Sequence, residues 1–209
     1  MSLDFFARFN ENASRTPDRI ALQYLDGAHR ETFTYEQVRR RAAAIGLRLA
    51  AEGLHPGDHA GILIETHPLW GLAFLGAQSA GAVIVPLDPL HDPETLASLI
   101  AHSECKWMLV SERLLAKLEQ AEALLPSPLP RVVLRREEEV REDGLLPLVA
   151  RSPDDELMIL YTSGTTGAPK GAILTGRNVY QNVAAGISMV GPTSEEHFLN
   201  VLPLNHVLA

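Results

Sequence analysis

The sequence predicts an α/β fold, a largely parallel sheet flanked by helices, and three observations carry that expectation. From His59 onward, short apolar runs at 60–64, 82–87 and 107–110 alternate with helix-patterned segments at 68–79 and 93–103. Strands bridged by helices of this length need crossover connections, which build parallel sheets covered on both faces. The chain has 209 residues and 46% hydrophobic content, enough for one sizeable core.

The elements follow in order. Leu3, Phe6 and Phe9 stand at helical spacing, so a short entry helix is expected over 3–13, stopped by Thr16-Pro17-Asp18. Strands at 20–25 and 32–35 flank Asp26-Gly27, a reversing pair, and the spacing predicts a hairpin with a loop longer than two residues. Thr34 and Gln37 have the spacing of a capping box, Val38, Ala42, Ile45 and Leu49 continue one apolar face, and Gly53 supplies a left-handed stop. The twenty residues from Pro68 to Leu87 carry no charge and are long enough to span a bilayer. They also hold Gly71, Gly76, Gln78, Ser79, Gly81 and Pro86 and lack flanking Lys or Arg, so a buried helix followed by a buried strand is expected instead of a span. Asp92-Pro93-Glu94 is a helix start: a capping carboxylate, a proline where no amide is needed, and an acid at the positive end of the dipole. A strand is expected at 131–134. Residues 135–155, rich in Glu, Arg, Gly and Pro, read as a surface connector. Residues 156–160 then form an apolar run of strand length, and 172–174 resemble another strand beyond an intervening loop.

Charge and composition exclude several functions. Eighteen Lys and Arg against 26 Asp and Glu leave a net charge of -8, the wrong sign for a nucleic-acid surface. Cys105 is the single cysteine, which removes internal disulfides and thiolate clusters. It is expected to be a small buried hydrophobe, not a nucleophile. Asp4, Glu11 and Asp18 interrupt the first twenty-five residues, so no signal peptide is legible and a cytoplasmic location is expected. Among the eight histidines, His55 and His59 are four apart, but Pro56-Gly57 prevents a shared helical face, and no metal site is expected.

The chemistry concentrates in Tyr161-Thr162-Ser163-Gly164-Thr165-Thr166-Gly167-Ala168-Pro169-Lys170-Gly171. Glycines let backbone approach something bulky, hydroxyls at 162, 163, 165 and 166 donate hydrogen bonds, and Lys170 supplies positive charge. Those are the requirements of a polyphosphate site at the carboxyl end of a strand. It is not a Walker loop, because Gly167 lies three residues before Lys170 and Pro169 directly precedes the lysine. Nor is it a dinucleotide fingerprint, since 172–174 read as a strand where that motif opens a helix. On composition alone, a Ser/Thr-rich hairpin turn whose hydroxyls satisfy their own backbone stands as the alternative.

The eleven residues from Tyr161 to Gly171 resemble the signature phosphate loop of the adenylate-forming enzymes, the superfamily of acyl-CoA synthetases, nonribosomal adenylation domains and firefly-type luciferases. Thr34-Tyr35-Glu36-Gln37-Val38 resembles the family's early Thr-Tyr-x-x-Leu element, and residues 80–89 resemble its Gly-Ala-x-x-x-Pro-Leu-x-Pro segment. Pro203-Leu204-Asn205-His206 resembles the next motif, whose histidine lies beside the nucleotide and acyl pocket. Asn205 stands where an aromatic is frequent, and Ala209 where a glycine usually follows.

The resemblance implies that a carboxylate attacks the α-phosphate of Mg-ATP, giving acyl-adenylate and pyrophosphate, and that a thiol such as that of CoA or a carrier protein then takes the acyl group. It further implies nucleotide binding by Thr162, Ser163, Gly164, Thr165, Thr166, Gly167 and Lys170, with Thr165 and Thr166 in direct hydroxyl contact, and a catalytic place for His206. Residues 1–209 would be the amino-terminal part of the AMP-binding large domain. The adenine-binding stretch with its magnesium ligand, the ribose-binding aspartate and the carboxy-terminal lid are expected beyond residue 209. The expected substrate is a fatty or other acyl acid, favoured by Ala168-Pro169-Lys170 and Leu204-Asn205-His206. A nonribosomal amino-acid adenylation domain and a non-catalytic nucleotide-binding or dimerising piece are the alternatives. By itself the chain is expected to be inactive and to self-associate through exposed apolar surface.

Overall fold

The computed structural model describes residues 5–136, 149–162 and 169–205. Its elements are α1 (Phe5–Arg15), β1 (Ile20–Asp26), β2 (His29–Thr34), α2 (Tyr35–Ala51), β3 (His59–Leu63), α3 (Pro68–Ser79), β4 (Val83–Pro86), α4 (Pro93–His102), β5 (Trp107–Ser111), α5 (Leu115–Glu122), β6 (Arg131–Leu134), β7 (Glu156–Thr162), β8 (Lys170–Thr175) and α6 (Gly176–Val190). Six strands form one sheet in the order β6-β5-β3-β4-β7-β8, and β1 and β2 form a separate hairpin. The neighbours from β6 to β7 are parallel, and β8 runs antiparallel to β7.

Period-two alternation along each strand sends consecutive side chains to opposite faces of the sheet. On one face Ala60, Ile62, Ile64, Ile84, Trp107 and Leu109 meet Leu69, Leu72 and Ala73 of α3 and Val38, Ile45 and Leu49 of α2. On the other, Leu63, Val83, Val85, Met108 and Val110 meet Leu96, Leu99 and Ile100 of α4 and Leu118 of α5. Both faces are covered, which is why β3, β4 and β5 read as unbroken apolar runs. Each wholly buried Leu or Ile contributes about 1.5–3 kcal/mol. Where α2 meets α3, a Cβ on Gly76 would stand 2.7 Å from Ile45 Cβ and 2.8 Å from the Ala42 carbonyl oxygen, so that close approach requires glycine.

The capping signals form as the sequence predicts. Thr34 accepts from the Gln37 amide at 3.2 Å, and Gln37 returns an acceptor to the Thr34 amide at 2.8 Å. Asp92 accepts from the Thr95 amide at 2.7 Å and starts α4. The uncharged stretch from residue 68 is the buried helix α3 followed by the buried strand β4. Among the described residues no helix is long and apolar enough to cross a membrane.

The hairpin differs from expectation. Asp26 pairs with His29, leaving Gly27-Ala28 as a two-residue loop, with Gly27 at φ 58° in the left-handed region a tight turn needs. The aspartate belongs to the strand and not to the turn, which shortens the loop. Two helices, α5 and α6, were not anticipated. Thr175 and Asn178 form a reciprocal capping box at the start of α6, and Gly191, at φ 62°, ends it. Of the connector, residues 137–148 lie outside the described residues. The part that follows is tied down: Arg151 donates to the carbonyls of Gly81 at 2.8 Å, Ala82 at 3.0 Å and Glu156 at 2.6 Å.

Candidate functional site

The phosphate-loop motif sits between the two strands of an antiparallel hairpin. β7 and β8 pair from Glu156 opposite Thr175 to Thr162 opposite Lys170, so the loop begins and ends on directly facing residues. β7 is parallel to β4, with Ile84 opposite Met158, which puts its end at the carboxyl edge of the parallel sheet, the edge where α/β folds hold ligands. Thr162 is the last residue of β7. Lys170 is the first of β8, and it is exposed, leaving its ammonium open to an anion. Ser163, Gly164, Thr165, Thr166 and Gly167 lie outside the described residues, as does His206.

The open end of this hairpin is stapled to the chain around it. Arg177 makes two charge-assisted bonds to Asp154, at 2.7 and 2.9 Å, and its amide donates to the Pro153 carbonyl at 2.8 Å. Those bonds hold the Asp154 carboxyl below its ordinary range. Gln78 of α3 donates to the carbonyls of Ala82 at 3.0 Å and Leu157 at 3.3 Å, joining β7 to the start of β4. These contacts hold the base of the hairpin against α3, β4 and the segment before β7.

Gly171 has a packing reason in addition to any ligand. A Cβ there would fall 2.7 Å from Ile159 Cγ2 and 3.3 Å from Tyr161 Cζ, so the motif's last glycine leaves room for both side chains. The Tyr161 hydroxyl is 2.8 Å from Nδ1 of His102, the last residue of α4, and burial raises its pKa. Sequence reasoning missed His102, because nothing in the pattern links residues 59 positions apart.

Other titratable groups have structural duties. His67 is buried, caps α3 through Nδ1 and reaches Glu31 through Nε2 at 3.0 Å. Ser111, at the end of β5, donates to Glu65 at 2.5 Å. Cys105 is 7% exposed, and burial pushes its thiol up to about 11, which leaves it no thiolate for nucleophilic work near neutral pH. His59 lies 2.5 Å from the Ser103 carbonyl through Nδ1. Among the described residues no three His, Cys, Asp or Glu side chains gather as a metal site. In sequence, the β7–β8 connection carries hydroxyl-bearing residues and glycines between Thr162 and Lys170, residue types able to bond phosphate oxygens.

Known proteins share this arrangement. The family described as "AMP-binding enzyme" matches residues 9–209. A linear gramicidin synthase polypeptide of Brevibacillus parabrevis is 33% identical over 172 residues, 82% of this chain and 2% of that protein. The crystal structure of the nonribosomal peptide synthetase FmoA3 in its AMPPNP-bound form superposes with a TM-score of 0.83 at 26% identity, over 98% of this chain and 21% of that one. The fatty acid AMP ligase from Legionella pneumophila shares the fold with a TM-score of 0.86 at 24% identity, over 99% of this chain and 36% of that one. The chain thus spans well under half the length of each of these relatives. With one family's pattern running through nearly all of it, on a sheet and hairpin shared with adenylate-forming enzymes, the chain belongs to the AMP-binding enzymes.

Proposed function

We propose that this chain supplies the polyphosphate-holding part of an enzyme that activates a carboxylic acid with ATP. The carboxylate oxygen attacks the α-phosphorus, the bond to the bridging oxygen breaks, and pyrophosphate leaves with its electron pair; a thiol, of CoA or a carrier protein, then displaces AMP from the acyl carbon. The difficulty of the first step is the charge on the departing pyrophosphate, so donors fixed before the reaction lower its barrier most. The observation that carries the reading is the donor-rich sequence 162–170 set between facing residues at the carboxyl edge of the sheet. In this reading Thr162, Ser163, Gly164, Thr165, Thr166, Gly167 and Lys170 hold the β- and γ-phosphates, and His206 stands by the reacting carboxylate. Magnesium, which would neutralise phosphate charge, would take its protein ligand from beyond residue 209.

Two acid classes remain in play, and each has its own support. Ala168-Pro169-Lys170 and Leu204-Asn205-His206 favour an apolar acyl acid activated for CoA. Similarity to the gramicidin synthase at 33% identity favours an amino acid, and as a sequence relationship over most of the chain it is the more direct support. Self-association also belongs to the proposal, through the exposed Val183, Ile187 and Val190 of α6 and Phe198 and Leu199 beyond it. So does a cytoplasmic location. Substrate-dependent ATP–pyrophosphate exchange, measured on this chain joined to a family carboxy-terminal region, decides the acid class. Fatty acids, aryl acids and the twenty amino acids are run side by side, and no exchange with any of them would overturn the reading.

A further inference from the structure

We propose that His67 is an acid-sensitive latch: on acidification it releases the outer part of the β1–β2 hairpin, residues 24–31, while the six-stranded sheet stays folded. The hairpin is a two-stranded sheet of its own. It joins the body at its open end, where Phe33 is buried and Leu22 packs against the core. Gln23 and Thr32, the next pair outward, are exposed, and so are residues 25–30. In this outer part Tyr24 and Glu31 alone are half-buried, and they face each other across the hairpin. Both meet the same side chain. Glu31 accepts from His67 Nε2 at 3.0 Å, and the Tyr24 ring stands edge-on to the imidazole at 4.6 Å.

The latch holds as a neutral imidazole. Nδ1 accepts from the Leu69 amide at 3.2 Å, the cap of α3, so the ring proton sits on Nε2 and goes to Glu31. A second proton would have to enter at Nδ1, where it would face an amide hydrogen and leave the helix uncapped. The charges around the ring pull both ways. Glu31 of β2 and Glu65, in the segment before α3, favour the imidazolium, whereas Arg136, two residues beyond β6, opposes it. Arg136 also stands 5.6 Å over the Tyr24 ring of β1, and Arg41 of α2 donates to the carbonyls of Arg135 and Arg136. Burial outweighs the two carboxylates and holds the His67 pKa below its ordinary 6.5. An open form, in which His67 meets water, therefore takes up a proton that the closed form excludes. Each pH unit between 6.5 and the depressed value favours opening by up to about ten-fold. Global unfolding gains by the same factor, but it must also expose the core, whereas the outer hairpin loses only the contacts of Tyr24 and Glu31. A released two-stranded ribbon is marginal in water, so its cross-strand bonds open with it.

The test is native-state hydrogen exchange on the 209-residue chain, followed amide by amide at several low urea concentrations. It runs from about pH 7.5 to about pH 5, with each rate divided by the intrinsic rate at that pH. Cross-strand amides in residues 24–31 should exchange through an opening that is nearly independent of urea and more populated than global unfolding. That opening should grow by up to about ten-fold per pH unit below pH 6.5. Amides of β3 and β5 should follow the urea slope of global unfolding throughout. His67→Asn can still cap α3 but does not titrate, so its outer-hairpin opening should no longer vary with pH. Wild-type amides in 24–31 that exchange only with the global urea slope, or an opening that does not grow below pH 6.5, overturn the proposal without need of a variant. The same pH dependence in a folded His67→Asn also overturns it.

Discussion

Replacing His67 should unfold the junction between the β1–β2 hairpin and α3 more than any surface change of similar size. The side chain is fully buried; Nδ1 accepts from the Leu69 amide at 3.2 Å, so the ring proton sits on Nε2 and is donated to Glu31 at 3.0 Å. Tyr24 packs edge-on against the ring at 4.6 Å. His67→Ala removes a helix cap, worth about 1 kcal/mol, and strips a partner from the largely buried Glu31 carboxylate, about 1–3 kcal/mol. A loss of about 3 kcal/mol is expected, read at pH 7.5 as a urea midpoint about 1 M lower with an unchanged slope. His67→Asn, which can still cap, should recover about 1 kcal/mol. Burial lowers the His67 pKa from its ordinary 6.5, outweighing the pull of Glu31 and Glu65, and Arg136 adds to the lowering. The unfolded chain therefore binds the proton first. The His67 contribution is complete above pH 6.5 and is lost as pH falls from there through the depressed folded value. His67→Asn should flatten that stretch of the stability profile. A loss under about 1 kcal/mol, or an unaltered slope below about pH 6.5, would refute the reasoning.

Two further outcomes follow from the packing. Gly171→Ala should destabilise the hairpin by about 1–3 kcal/mol, because its Cβ would collide with Ile159, a residue 7% exposed in the core; an unchanged melting temperature would show that the strand yields. The chain should associate at micromolar concentration through α6 and residues 198–199, and Val183→Glu with Ile187→Glu should make it monomeric in analytical ultracentrifugation without changing its circular dichroism.

Much of this architecture was legible because its strands are buried on both faces and its helices begin with paired signals. Ala60, Ile62 and Leu63, like Val83 and Val85, needed no alternation to be recognised, and Thr34 with Gln37 marked a helix start by spacing alone. The two-residue hairpin loop was not legible, since Asp26 is as suited to a turn as to the strand end it occupies. Helix α6 was legible but missed: Val179, Val183, Ile187 and Val190 stand at helical spacing after Thr175, although only Gly176 of the helix is buried. The donors of the candidate site were legible as a motif, whereas the contact of His102 with Tyr161 exists only once α4 and β7 are packed.

The central claim is that the connection between β7 and β8 holds the phosphates of ATP during acid activation. It is tested most directly by ATP–pyrophosphate exchange on this chain joined to a family carboxy-terminal region, comparing wild type with Lys170→Ala and with Thr165→Val/Thr166→Val. Each charge-assisted bond removed should cost about 1.5–3 kcal/mol, roughly a ten-fold or greater loss of exchange that shows in the requirement for ATP more than in that for the acid. Exchange at the wild-type rate in both variants, with folding intact, would contradict the account.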